Sequence, residues 1–342
     1  MKRLLITLAA IATIIAIYAA AFLTVNHQVA SSAADIERES GADLPVAGDT
    51  LELLNWNVGY GGLGRGSDFV ADGGEHMFPP SRAAVRANVA GIEAFLAQHS
   101  DSADVVVMQE LAHAGPVNYW INLRDRVENA LRGRDSTFYP DFRTRLMPWP
   151  LRLDHGQALY SRYAVAETGL VPLPAEDSGI FGVRRRYGSA YVRLAGDANW
   201  TIVSVHLAAF DEDAAVRTRQ LRELMAWAQA EYESGRRVVM AGDWNLQIAE
   251  TNFPHTTDER FLFWLFPFPQ DALPEGWRIA ADASIPSVRT NHQPYVPGEN
   301  YVTTIDGYIV SPNVEVLEVN GYDLGFEYTD HQPVRLGVQA RR

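Results

Sequence analysis

Cysteine is absent from this 342-residue sequence, which excludes disulfide frameworks, thiolate metal ligands and cysteine nucleophiles. Any metal must therefore be held by oxygen or imidazole. Lysine is nearly absent too: Lys2 stands alone and every other basic side chain among the 29 lysines and arginines is arginine. Arginine suits bidentate phosphate contacts, although a composition bias of the genome is the simpler account of the excess. A formal net charge of −13 leaves no broad basic surface for nucleic acid, while a local basic pocket remains compatible with it. Two catalytic signatures are also missing. There is no G-x-S-x-G elbow and no H-E-x-x-H helix, so serine-nucleophile and zincin-type chemistry lack their usual carriers. What is present is ample apolar material, 47% of the residues, enough for a buried core.

Lys2 and Arg3 precede an uncharged apolar run from Leu4 to Val25. Such a run matches the ~20 residues that span a bilayer and exceeds the ~7–15-residue core of a cleaved signal. The leading basic residues stay cytoplasmic, so the remainder is expected to be exported. Residues 1–25 are thus expected to anchor the protein in a bacterial-type cell membrane. The alternative is a signal cleaved near "VASSAAD", which would leave a secreted or periplasmic protein. A buried core helix fits poorly, because no charge interrupts the run. Residues 26–49 are small, polar and acidic without a period, and read as a linker. With no second linker and no internal repeat, residues 50–342 are expected to form one catalytic domain, and the protein is expected to be a monomer.

Strands are expected in "TLELLNWNV", "ADVVVMQE", "GQALYSRYAVAET", "GSAYVRLAG", "NWTIVSVHL", "RRVVMAGDWN", "TTIDGYIVS" and "HQPVRLGVQ". Helices are expected after Ser81, a candidate N-cap, and from about Asp213 to Ser234, ending at Gly235. Strands grouped with few helices imply a layered α+β domain with much antiparallel sheet.

Polar residues collect where these strands end. Asn57, Glu110, His206, Asp243 and Asn245 lie at carboxyl ends, whereas Asp306, Asp330 and His331 lie at amino-terminal starts. If the last strands run antiparallel to the others, all these groups meet on one edge of the core. Each alone has an ordinary structural explanation as a turn, a cap or a satisfied boundary residue. Together they would be costly to desolvate without a shared partner. Carboxylate and carboxamide oxygens suit a hard cation such as Mg²⁺, or Mn²⁺ in its place. Histidines with acidic partners supply acid and base function, and the natural reaction is metal-assisted attack of water on a phosphate ester.

"LNWNVG", "VVVMQE", "SVHLAAF", "GDWN", "IDGYIVS" and "TDHQPV", in this order, resemble the endonuclease/exonuclease/phosphatase superfamily with its deoxyribonuclease-I-like fold. The resemblance implies an α/β four-layered sandwich of two packed mixed β-sheets flanked by helices. It implies metal-side roles for Glu110, Asn57 and Asp330, with Glu110 the principal ligand. Asp243 and Asn245 would orient water and phosphate, His331 with its partner Asp306 would be catalytic, and His206 would contact phosphate or assist the leaving group. Leu111-Ala112 and Ala164 depart from residues common in the family. Arg162, Arg217 and Arg219 are possible rim contacts to phosphate.

The substrate is less legible. "FLFWLFPFP", residues 261–269, is either packed irregular core or an aromatic wedge for a bilayer. With the anchor and the acidic balance, the wedge favours a lipid head group or small phosphoester over DNA or RNA, and an inactive binding module is the remaining alternative. The segment Gly59-Tyr60-Gly61-Gly62-Leu63-Gly64 matches G-x-G-x-x-G only formally. A dinucleotide site needs a helix opening directly at the glycines, and Pro79-Pro80 intervene first.

Overall fold

The computed structural model describes residues 2–27, 30–176, 183–209, 211 and 213–341. From the amino terminus these form α1 (Lys2–His27), β1 (Glu37–Glu39), β2 (Thr50–Asn57), α2 (Arg82–His99), β3 (Val105–Ala112) and α3 (Leu123–Ala130). There follow β4 (Asp135–Arg143), β5 (Asp154–Ser161), β6 (Val165–Pro172), β7 (Gly188–Leu194), β8 (Trp200–His206) and α4 (Ala215–Glu233). The remainder comprises β9 (Arg237–Asp243), β10 (Arg278–Ala280), β11 (Val288–Arg289), β12 (Val302–Thr303), β13 (Asp306–Val310), β14 (Val314–Gly321) and β15 (Val334–Ala340).

One sheet has the order β1-β4-β5-β3-β2-β15-β14 and the other β10-β13-β9-β8-β7-β6, with β11 and β12 paired separately. Both are mixed: β2 with β3 and β8 with β9 run parallel, whereas β13 is antiparallel to β9 and β15 to β2. That arrangement carries the strand ends of the first halves to the strand starts of the second. Between the sheets, Leu53, Val105 and Val107 meet Val239, Ala241 and Tyr308. Outside the first sheet, α2 and α3 contribute Val85, Val89, Ile92, Leu123 and Val127. Outside the second, α4 buries Leu221, Leu224, Met225 and Ala228. The result is the expected four-layered sandwich.

Local chemistry explains the helix boundaries. The Ser81 hydroxyl accepts from Ala84 N at 3.1 Å and starts α2, and Gly235, at φ +90°, follows the end of α4. Strand β4 escapes the sequence pattern because it contains Pro140 and acids at both ends. A register shift between Tyr139 and Phe142 absorbs the proline.

One expectation changes, and one open choice is decided. The expected linker, residues 26–49, of which 28 and 29 lie outside the described residues, is docked on the domain: β1 pairs with β4, Arg38 bonds Asp135, Glu37 bonds Arg124 and Arg143, and Ala47 is buried. These contacts are polar, so hydropathy gave no sign of them. For the aromatic run, of its two readings the packed core holds. Trp264 and Phe268 are buried against the two cores, leaving Phe263 as its exposed large apolar side chain.

Helix α1 is long and apolar enough to cross a membrane or to serve as a signal sequence, with mean hydropathy 2.4 over its best window. Its carboxyl end is docked. The Asn26 side chain donates to Arg145 O at 2.8 Å and accepts from Arg145 N at 2.7 Å, and Arg184 N donates to Asn26 O at 3.1 Å.

Candidate active site

The antiparallel and parallel pairings set a row of polar residues across three strands. Asp306 of β13 faces Asp243 of β9, and Asp243 faces His206 of β8. In the other sheet Asn57 pairs in register with Gln109, one residue before Glu110. Asp330 and His331 precede β15, on a bent segment where Gln332 N bonds Ser287 O and Arg289 N bonds Asp330 O. The bend before Pro333 lets adjacent residues serve different neighbours.

One pocket collects Glu110, His206, Asp243, Asn245, Asp330 and His331. Asp243 is fixed from two sides: Asn57 Nδ2 donates to Oδ2 at 3.0 Å and Asn245 N to Oδ1 at 2.9 Å. Asn245 itself donates to Leu207 O at 3.0 Å. His331 Nδ1 lies 2.8 Å from Asp306 Oδ2, and its Nε2 lies 3.7 Å from Asp243 Oδ2. Ser287 Oγ also donates to Asp306 Oδ2 at 2.8 Å. His206 Nε2 is 3.7 Å from both Glu110 Oε1 and Asp243 Oδ2, longer than a hydrogen bond.

Backbone strain surrounds these groups. Glu110 has φ +55° where β3 shifts register between Met108 and Leu111, and Asn245 has φ +49°. Left-handed conformations in residues other than glycine cost of order 1 kcal/mol or more and persist where surroundings over-determine them. Here the bulge turns the Glu110 carboxylate into the pocket. Gly59 is needed for a related reason: with φ +49°, a Cβ there would lie 2.8 Å from Asp330 Oδ1.

The electrostatics divide the titratable groups. His331 is held well above the usual imidazole range: burial opposes the proton, but Asp306 and Asp243 outweigh it. His206 is pushed well below that range by burial, with the Arg185 guanidinium adding to the effect. Burial lifts Glu110 to about 8, reinforced by Asp330, and lifts Asp306 to about 6 against the pull of His331.

This donor set fits a hard divalent cation. Ligand atoms of Asp243, Asp306 and His331 all lie within 4.8 Å of one another. The expected trio of Glu110, Asn57 and Asp330 contributes neighbouring oxygens, of which Asn57 Oδ1 already accepts from Gly59 N at 3.0 Å. Several acids desolvated together require compensating positive charge.

Arg162 does not belong to this site. It follows β5 at the end of the sheet where Ser161 pairs with Val105, remote from Glu110 at the other end of β3, and its guanidinium donates to Asp101 O. Arg217 is buried rather than on a rim: it bonds Asp211, Asn245 O at 2.7 Å and Trp264 O at 2.8 Å, bracing the loop after β9. Arg219 is exposed on α4.

Several pocket residues escaped the sequence reading, among them Arg185, Asn291, Asp72 and Arg289. Arg185 lines the pocket and is aimed by Asp141, which accepts from Nε at 3.1 Å and Nη2 at 2.8 Å. The triplet Arg184-Arg185-Arg186 in an acidic chain was its one visible signal. Asn291 donates to Asp330 at 2.6 Å and to Asp72 at 3.0 Å, and burial raises Asp72 to about 6. Arg289 donates to the carbonyls of Leu63, Gly64 and Ser67 at 3.0–3.2 Å, so the glycine-rich loop is gripped by an arginine.

The family model of the Endonuclease/Exonuclease/phosphatase family matches residues 54–331, and the chain belongs to that family. Its members are phosphoesterases, which makes this a phosphoesterase-type fold. No curated protein matches the sequence significantly. Among solved structures, an endonuclease/exonuclease/phosphatase from Beutenbergia cavernae is similar at TM-score 0.56 and 17% identity, covering 86% of this chain and 72% of that one. One from Bacteroides vulgatus is similar at TM-score 0.53 and 14% identity, covering 85% and 99%. The human Nocturnin catalytic domain, with a bound sulfate anion, is similar at TM-score 0.50 and 15% identity, covering 87% and 97%. At these identities the likeness concerns the fold.

Proposed function

We propose that this protein is a divalent-metal-dependent hydrolase that cleaves phosphate esters of lipid head groups or small molecules, using water, at the exported face of a membrane. The observation that carries the reading is His331, clamped by Asp306 beside an Asp243 that Asn57 and Asn245 hold in place. A protonated His331 presents Nε2–H to a phosphate oxygen or leaving group while Asp306 fixes its orientation. Asp243, with its oxygens fixed in direction, accepts a hydrogen bond from the attacking water and aligns it. Arg185, oriented by Asp141, adds a guanidinium donor to the same phosphate. His206, neutral at physiological pH, is available as a hydrogen-bond partner on the opposite wall. Glu110 with Asp330 and Asn57 would hold Mg²⁺ or Mn²⁺, which would supply Lewis-acid neutralisation of phosphate charge.

Two features support a lipid or small substrate over nucleic acid. The groove on the other side of the glycine-rich loop is lined by Asp68, Glu75, Asp258 and Glu299 as well as Arg260, an acidic bias that repels a polyanion. The carboxyl end of α1 docks on Arg184, the residue next to Arg185 of the pocket, so a membrane spanned by α1 lies close to the reacting groups.

The test is hydrolysis of bis-p-nitrophenyl phosphate by the full chain with Mg²⁺ or Mn²⁺, with and without chelator. Activity indifferent to both the chelator and His331→Ala overturns the mechanism. A panel of plasmid DNA, RNA, sphingomyelin, phosphatidylinositides and soluble phosphomonoesters in one buffer then assigns the substrate class. Cleavage of nucleic acid alone overturns the lipid and small-molecule assignment.

A further inference from the structure

The turn joining β4 to β5 exposes Leu146, Trp149 and Leu151, and Trp149 is 76% exposed. Trp120, exposed beside them, donates from Nε1 to Pro150 O at 2.7 Å. An apolar cluster of this kind, carrying two tryptophans, is costly to leave in water and marks an interaction surface. Arg145 and Arg152 flank its tip. An aromatic and aliphatic tip bordered by arginines has the composition of a segment that enters a lipid interface.

The fold says which surface covers it. Asn26 grips Arg145 through both amide atoms, and the Tyr18 hydroxyl donates to Leu146 O, so the turn lies along the last part of α1. Tyr18 stands seven residues before Val25, the end of the apolar run. At 1.5 Å per residue that is about 10 Å along the helix axis. With Val25 at the hydrocarbon boundary, the tip reaches the depth of roughly 5–10 Å at which interfacial apolar groups rest. The base of the turn in turn reaches the pocket. His155 stacks on Phe142 at 5.1 Å and meets Tyr60, a pocket-lining residue, at 4.7 Å.

We propose that the Leu146–Leu151 turn is a second membrane contact, inserting beside α1 into the leaflet on the domain's side and fixing the pocket at the lipid surface. The proposal rests on reading α1 as a membrane span. A single helix leaves a domain free to tilt and rotate; a second contact at the β4–β5 end fixes its orientation.

The absence of native cysteine makes the test direct. Trp149→Cys, Leu151→Cys, Ile14→Cys and Leu317→Cys, each in the full chain, are labelled with a polarity-sensitive fluorophore and placed in phosphatidylcholine–phosphatidylglycerol vesicles. Leu317 is the aqueous reference, exposed on β14 at the far edge of the first sheet. Blue-shifted emission at 149 and 151, with iodide quenching several-fold weaker than at 317, is the expected result. Quenching at 149 and 151 equal to that at 317, with position 14 protected, overturns the insertion while leaving the anchor intact. Equal quenching at all four positions overturns the anchor reading and the insertion with it.

Discussion

His331 and His206 face one another across the pocket, both buried and both near Asp243, yet their surroundings drive them in opposite directions. His331 has Asp306 at 2.8 Å, and the carboxylates outweigh desolvation, so the ring keeps its proton. His206 has Asp141 only at 3.9 Å, with Arg185 nearby, so desolvation wins and the ring stays neutral. Burial alone therefore does not set the charge of a histidine; the distance to the acid does, because desolvation is offset only by a partner in contact. The difference assigns the cationic, charge-stabilising task to the β15 side and leaves the β8 side to hydrogen bonding.

Removing the charged member should do the most damage. His331→Ala is expected to lower kcat by about 10³-fold, within the range for loss of a positioned acid or base. Single-turnover rates at saturating substrate check this; a loss below tenfold would dissolve the proposed asymmetry. Arg185→Met is expected to follow at about 10²-fold in kcat/KM, since one charge-assisted donor to phosphate disappears. Steady-state kinetics of that variant beside His206→Gln, for which about tenfold is expected from loss of a neutral hydrogen bond, rank the two walls directly.

Glu110 offers a pH-dependent check on the metal reading. With its proton held up to about 8, a cation that uses the carboxylate must displace that proton. Mg²⁺ or Mn²⁺ affinity, by calorimetry, should fall about tenfold per unit as pH drops below about 8 and level off above it. A flat profile between pH 6 and 8 would remove Glu110 from the ligand set.

The smallest expected effect concerns stability. A depressed His206 makes the folded protein reluctant to bind a proton that the unfolded chain accepts, so stability falls as pH drops below the ordinary imidazole value of about 6.5. His331 has the opposite sign: its contribution is complete below that value and is lost as pH rises through its raised folded value. Thermal melts of His206→Gln should therefore lose less stability than the parent between pH 6.5 and 5.

Much of this site is legible in the sequence. Asn57, Glu110, Asp243, Asn245, Asp306 and His331 betray themselves as polar residues ending or starting apolar runs, a local signal with a physical cost behind it. Arg162 misled because "SRYAV" says nothing about which end of β5 it follows, and sheet direction places it away from the pocket. Residues 261–269 stayed open between core and wedge because an aromatic run looks alike whether covered or bare, and burial of Trp264 and Phe268 decides for the core. The turn at 146–151, with fewer aromatics, is the one left exposed.

Period, strand-end polarity and a long apolar run are local properties, so the sequence by itself determined the strands that carry the site, the two main helices, a helix of membrane-spanning length and the list of acids, amides and histidines. The remaining facts depend on neighbours far apart in the chain. Asp306 reaches His331, Asp141 aims Arg185, Arg289 grips the glycine loop, and Tyr18 meets Leu146 only once the sheets have stacked. Tertiary structure alone decided which histidine is charged and which apolar surface stays open, because desolvation and Coulomb attraction depend on distance in space, and sequence separation does not fix that distance.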